Sequence, residues 1–262
     1  MKIEINGIRM GYQVIGGTGL PIVLIHGFGL NRSIWKELAN EYLNGYHVIL
    51  PDIRGHGESE ATEGVYSMAG LAEDIVALLD FLNVEKAIIC GHSMGGYIAL
   101  AFAQKYPERL AGLGLITTHA AADSAEKRGD RYQMVEDVRK AGAFVLAESL
   151  APKLTMDEAI IKKMYQILSE TDPVGIIGVL RGMAERPARM DLLPEIDVPA
   201  LVVAGSEDQI IEIDVARKMA ESLPQGKFML IEGAGHMPMI ETPGILGEGL
   251  IWLFSQVGAH KN

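Results

Sequence analysis

The chain reads as an α/β protein: a mainly parallel central sheet with helices on both faces, interrupted by an all-helical insertion. Three observations predict this. Short continuous apolar runs, such as residues 21–25 and 200–204, recur along the chain. Unbroken apolar runs bounded by turn residues suit strands buried on both faces. Amphipathic stretches of helical period separate these runs, and alternation of the two implies a parallel sheet with crossover helices. From about residue 119 to 190 the alternation stops and only helical patterning remains.

Each element has a local reason. Ile3, Ile5, Ile8, Met10 and Tyr12 alternate with polar residues or Gly around Asn6-Gly7, the signature of an antiparallel hairpin at the sheet edge. The run at 21–25 ends in His26-Gly27-Phe28-Gly29 and leads to a helix over about 31–43. A strand at 48–50 stops at Pro51-Asp52. A helix over 67–83 has Ser67 as cap, with Leu71, Ile75, Leu78, Leu79 and Leu82 on one face. A strand over 86–90, a helix over 94–106 closed by Pro107, and a strand over 113–116 follow. The insertion is expected to hold helices at 131–147, 156–168 and 173–184. Strands at 200–204 and 228–231 flank a helix at 214–222, and Thr242-Pro243 is expected to cap and open a last helix. This gives a core of residues 1–118 and 191–262, with 119–190 as the helical insertion.

Composition bounds the function. A chain of 262 residues with 48% hydrophobic and 22% charged residues is globular and long enough to bury a large core without staples. The single cysteine excludes an internal disulfide framework and a cysteine-rich zinc site. Net charge of −11 argues against nucleic-acid partners and anionic membranes. No run approaches the roughly 18 apolar residues of a membrane span. Met1-Lys2-Ile3-Glu4-Ile5-Asn6 lacks a signal-peptide apolar run, so a cytoplasmic protein is expected.

The chemistry lies in three loops. Gly91-His92-Ser93-Met94-Gly95 stands between an expected strand and an expected helix. A sharp strand-to-helix turn of this kind pushes a serine hydroxyl clear of the sheet. Serine needs an adjacent base, and the base an orienting carboxylate. Glu207-Asp208 follows one buried strand, with Asp208 favoured over Glu207, and Gly233-Ala234-Gly235-His236 follows the next. Loops at the carboxyl ends of parallel strands converge on one rim, so Ser93, Asp208 and His236 are expected together there. Of the other histidines, His26 and His56 suit turn support and His47 starts a strand. His92 belongs to the turn, His119 enters the insertion at a place that could face the pocket, and His260 lies in the tail. Asp52, another strand-end acid, is read as organising Arg54-Gly55-His56-Gly57. Backbone N–H groups of Met94 and Phe28 are the expected oxyanion donors.

His26-Gly27, Gly91-x-Ser93-x-Gly95, Asp208 and Gly235-His236, in this order, resemble the α/β-hydrolase superfamily over almost the whole chain. Gly182-Met183-Ala184-Glu185-Arg186-Pro187 before Asp191-Leu192-Leu193 is similar to a stretch of small bacterial carboxylesterases. The resemblance implies the α/β-hydrolase fold, with the insertion as its cap. It implies ester hydrolysis: Ser93 attacks, His236 acts as base, Asp208 orients it, and an acyl-enzyme forms without metal or organic cofactor. No His/Asp/Glu cluster has metal-binding spacing. A neutral base implies activity that falls in acid. Cys90, before the turn, is expected buried and inert.

Leu30, Phe144, Leu146, Met183, Ile210 and Met237 are candidates to line the substrate pocket, with Phe28 and Met239 beside them. Core packing is the competing reading for each. The partner expected is a small-molecule ester of short-to-medium acyl chain, on a monomer or homodimer. Carbon–carbon bond hydrolases and enol-lactonases share the triad, and Arg181 or Arg186 would then grip a carboxylate, although surface placement is the preferred reading. A ligand receptor on the same fold is the rival of a different class.

Overall fold

A computed structural model describes residues 1–259. Its eight strands are β1 (Lys2–Ile5), β2 (Ile8–Ile15), β3 (Ile22–Ile25), β4 (Val48–Pro51), β5 (Ala87–His92), β6 (Leu110–Ile116), β7 (Ala200–Gly205) and β8 (Gly226–Ile231). They form one sheet in the order β1-β2-β4-β3-β5-β6-β7-β8. β1 and β2 pair antiparallel, as does β2 with β4, and all later neighbours are parallel. The hairpin turn has positive φ at both Asn6 (43°) and Gly7 (74°), which matches the right-handed twist of its strands.

The crossover helices are α1 (Lys36–Glu41), α2 (Met68–Phe81), α3 (Met94–Lys105) and α8 (Ile213–Ser222), and α10 (Pro243–Ala259) is the last helix among the described residues. From β3 to β4 the chain steps one way along the sheet, and from β4 onward it steps the other way. Right-handed crossovers therefore put α1 on one face and α2, α3 and α8 on the other. α10 packs against α1 and covers the first face. The sheet between them is dry: Ile22, Val23, Leu24 and Ile25 are all fully buried. Each such side chain contributes about 1.5–3 kcal/mol of burial free energy.

Between β6 and β7 the chain makes four α-helices, α4 (Ala125–Ala141), α5 (Phe144–Leu154), α6 (Glu158–Glu170) and α7 (Pro173–Ala184), followed by a 3-10 turn, Met190–Glu195. The helix expected over 131–147 is two. α4 starts earlier because the Ser124 side chain accepts from Lys127 N–H, and it breaks at Gly142, whose φ is 90°. The stretch expected as one helix over 31–43 begins as a 3-10 turn, Arg32–Trp35, before α1.

α7 docks backbone to backbone on the core. A Cβ on Gly175 would stand 2.0 Å from the Gly55 carbonyl oxygen, and one on Gly182 would stand 1.8 Å from that of Tyr66. Tyr66 N–H donates to the Gly178 carbonyl (2.9 Å). A short helix unexpected from the sequence, α9 (Pro238–Glu241), precedes α10. The Thr242 hydroxyl donates back to the Pro238 carbonyl (3.3 Å), closing α9. His260 lies outside the described residues.

Candidate active site

Ser93 directly follows β5, with φ 52° and ψ −114°. Positive φ is costly for a residue with a Cβ, about 1–3 kcal/mol. The surroundings impose it. A Cβ on Gly91 would lie 2.0 Å from the Gly95 carbonyl oxygen, and one on Gly95 would lie 2.5 Å from that of Ile25. Glycine at both positions lets the turn close against β3. Ser93 N–H donates to the Ile116 carbonyl (2.9 Å), and the Thr118 hydroxyl donates to the Ser93 carbonyl (2.6 Å).

Asp208 and His236 follow β7 and β8 on the same rim. The two side chains are essentially without solvent exposure. His236 Nδ1 donates to Asp208 Oδ2 at 2.9 Å, with Oδ1 at 3.1 Å. The carboxylate also accepts Ile210 and Ile211 N–H groups (2.8 and 3.1 Å), which fixes its plane. With Nδ1 carrying the proton, Nε2 of neutral His236 is the acceptor nitrogen. Glu207 is exposed and lines a different depression. Ser93 and His236 line the same cavity, of about 380 Å³, and no hydrogen bond joins the two side chains among the described residues. Such contacts are often loose without substrate.

The loop around His236 is held from both sides. Glu241 Oε2 accepts Gly235 N–H (2.9 Å) and Met237 N–H (3.0 Å), and the other oxygen accepts the Thr155 hydroxyl. His236 N–H itself donates to the carbonyl of Leu154, the last residue of α5 (2.9 Å). Glu241 gave no sequence signal beyond lying five residues after His236.

Two neutral histidines shape the loop after β3. His26 Nδ1 donates to the Gly27 carbonyl (2.9 Å), and its Nε2 accepts Ile53 N–H (3.0 Å). His56 Nδ1 donates to the Arg54 carbonyl (3.0 Å), and its Nε2 accepts Gly29 N–H (3.2 Å). Burial is the main cause that lowers His26 to about 4 and His56 to about 3. Phe28 and Met94 both line the cavity, and neither amide has a backbone partner among the described residues. Asp52 accepts Arg32 and Glu58 N–H groups (both 2.8 Å) and pairs with Arg32, so it organises its own loop.

Leu30, Leu146, Met183 and Ile210 line the cavity with Phe28. Phe144 and Met237 do not. Phe144 opens α5 and is 44% exposed, whereas Met237 and Met239 are fully buried in the core. Helical spacing alone does not distinguish a cavity wall from solvent or core. Tyr97, Leu150 and Leu180 line the cavity unforeseen, as do Lys127, Arg131 and Lys153. Arg186, expected on the surface, is 5% exposed and pairs with Asp123 (2.9 Å). His119 sits off the cavity and meets the Tyr97 hydroxyl at 2.9 Å. Burial, and next the Arg186 charge, lowers it to about 4.

The family model described as alpha/beta hydrolase fold matches residues 21–156 and 170–243. The chain belongs to the alpha/beta hydrolase fold family. Within that family it is similar to a thermophilic esterase from Thermogutta terrifontis, solved with malate bound: 38% identity, 98% of each chain covered, TM-score 0.93. It is also similar to 3-oxoadipate enol-lactonase 2 of Acinetobacter baylyi, at 28% identity over 243 residues, covering 90% of this chain and 89% of the relative. The enol-lactonase of Burkholderia xenovorans LB400 superposes with TM-score 0.89 at 25% identity, over 97% of this chain and 100% of that one. The chain is thus an enzyme of the α/β-hydrolase class. Among the described residues no helix is long and apolar enough to cross a membrane.

Proposed function

We propose that the protein is a serine hydrolase that cleaves carboxylic esters of short-to-medium acyl chain through an acyl-enzyme. The observation that carries this reading is the His236–Asp208 pair facing the cavity that Ser93 also lines. Ser93 Oγ attacks the ester carbonyl while His236 Nε2 takes its proton. Asp208, acceptor to Nδ1, steadies the imidazolium that forms. Phe28 and Met94 N–H groups receive the oxyanion, each such donor being worth about 2.7–4 kcal/mol in the transition state. His236 then gives its proton to the leaving alcohol. Water, activated by His236 in turn, releases the acid.

A cavity of about 380 Å³ supports small acyl groups over long lipid chains. The test has two parts. After treatment with a serine-directed organophosphonate, mass spectrometry should find a single adduct, on Ser93. Across p-nitrophenyl acetate, butyrate and palmitate, kcat/KM should favour the short esters. An adduct elsewhere, or a palmitate preference, rejects the proposal. The similarity to two enol-lactonases favours a second reading, a cyclic enol ester opened by the same steps. Turnover of an enol-lactone with none of the open-chain esters would select it.

A further inference from the structure

The wall of the cavity formed by α4 carries positive charge that the chain leaves unbalanced. Lys127 and Arg131 lie four residues apart on α4, a spacing that puts them on one face. Both line the cavity, and Lys153 of α5 lines it too. Asp130 is the only acid among the lining residues, so the lining has two more positive than negative groups apart from His. The chain as a whole carries a net charge of −11, which makes this surplus stand out.

Behind the wall the balance does not improve. Asp123, whose side chain is fully buried, accepts from both Arg131 and Arg186. Burial opposes its charge, but the hydrogen bonds from Arg131 and Arg186 overcome this and hold its carboxyl at about 2. One carboxylate therefore serves two guanidinium groups. Arg186 is set back from the cavity: it lies over the Tyr97 ring (4.0 Å to the centroid) and donates to the Met183 and Ala121 carbonyls (2.8 and 3.2 Å), with its buried Nε unpartnered among the described residues. Arg131 is not. Its side chain is 13% exposed, its Nε and Nη2 point to Asp123, and Nη1 meets only the Met183 sulfur, at 3.5 Å. A thioether is a weak acceptor. A nearly buried guanidinium N–H on a cavity wall, facing sulfur, is a donor in want of an anion.

We infer that the cavity accepts esters bearing a carboxylate, which takes Arg131 Nη1 in place of the Met183 sulfur while the exposed Lys127 and Lys153 attract the anion. This rests on the ester-hydrolase reading above and narrows it to anionic substrates, such as half-esters of dicarboxylic acids.

The experiment pairs each anionic ester with a neutral one of equal acyl length: monoethyl succinate with ethyl butanoate, monoethyl glutarate with ethyl pentanoate, and monoethyl adipate with ethyl hexanoate. A fourth pair, butanoyloxyacetate with ethyl butanoate, moves the charge to the alcohol side. In at least one pair the anionic member should have kcat/KM higher by about tenfold, the worth of one charge-assisted hydrogen bond. That ratio should fall as sodium chloride is raised. It should fall further in Arg131→Met. The double variant Lys127→Gln/Lys153→Gln, altered only at exposed positions, should lower the ratio even if Arg131→Met fails to fold. Preference for the neutral member in every pair overturns the inference while leaving ester hydrolysis standing. So does a ratio that neither salt nor the double variant moves. Cleavage of no ester in any pair overturns both readings.

Discussion

His92 Nε2 donates to the main-chain carbonyl of His236 at 2.9 Å, and the two rings lie 4.9 Å apart. The side chain beside the proposed nucleophile thus holds the backbone of the proposed base. Thr117 supports the same carbonyl through its hydroxyl (3.2 Å). Burial, then the nearby His236, pushes His92 well below the usual histidine range, so it donates as a neutral ring. Gly27 is pressed against that ring: a Cβ there would lie 2.6 Å from His92 Nδ1. One imidazole therefore ties the loops after β3, β5 and β8 together.

Ser93 should separate stability from activity. Ser93→Ala and Ser93→Gly both remove the hydroxyl and should both lower turnover by several orders of magnitude. Only Gly relieves the positive φ of 52°. Ser93→Gly should therefore be the more stable of the two by about 1 kcal/mol, or about 2–4 °C in Tm. Equal melting temperatures would show that the turn carries no strain.

Acid should weaken the fold through His26 and His56. Their folded pKa values, about 4 and about 3, lie below the ordinary 6.5. The unfolded chain therefore binds protons first, and stability is complete above about pH 6.5. It is lost as pH falls toward the folded values, by about 2 kcal/mol per histidine at pH 5. Urea unfolding midpoints at pH 7.5 and pH 5 measure this. A midpoint that does not move would contradict the neutral, buried assignment.

Glu241 should matter to catalysis without touching substrate. Glu241→Ala strands the N–H groups on either side of His236, at about 1–3 kcal/mol. Glu241→Gln keeps a carbonyl acceptor and should lose much less. The expected pattern is a kcat defect larger than any change in KM, partly rescued by Gln. Equal kcat in Ala and wild type would remove Glu241 from the positioning of His236.

Leu146 and Phe144 make a contrast within one helix. Leu146, 3% exposed, lines the cavity, and Phe144 faces solvent. Leu146→Ala should shift the acyl-chain optimum to longer esters and cost about 2–5 kcal/mol of stability. Phe144→Ala should leave the optimum unchanged and stability within about 0.5 kcal/mol. A chain-length profile for each variant is the measurement.

The sequence made the rim legible because each of its parts is local. Gly91-x-Ser93-x-Gly95 must be glycine on both flanks to pass Ile25 and its own helix, and Asp208 and His236 each follow an apolar run. The buried sheet was legible for the same reason. What escaped depended on distant partners. Arg186 is buried because Asp123, far off in sequence, meets it, and neither residue is unusual alone. Phe144 and Leu146 carry the same apolar signal yet face opposite surroundings. The break at Gly142 and the Ser124 cap were local signals, and reading them would have divided 125–154 into its two helices.

The contact of α7 with the core bears on where the enzyme finds its substrate. Helix and core meet at carbonyl oxygens of Gly55 and Tyr66, and between those two contacts the Tyr66 ring packs on Gly178. These backbone contacts should hold the roof in place on that side, so substrate is expected to enter without lifting α7. A lipase that waits for an oil droplet to draw back its lid works mainly at the droplet surface. For the proposed ester hydrolysis, a roof held in this way predicts a rate that rises smoothly with ester concentration, without a jump where the ester begins to form emulsion.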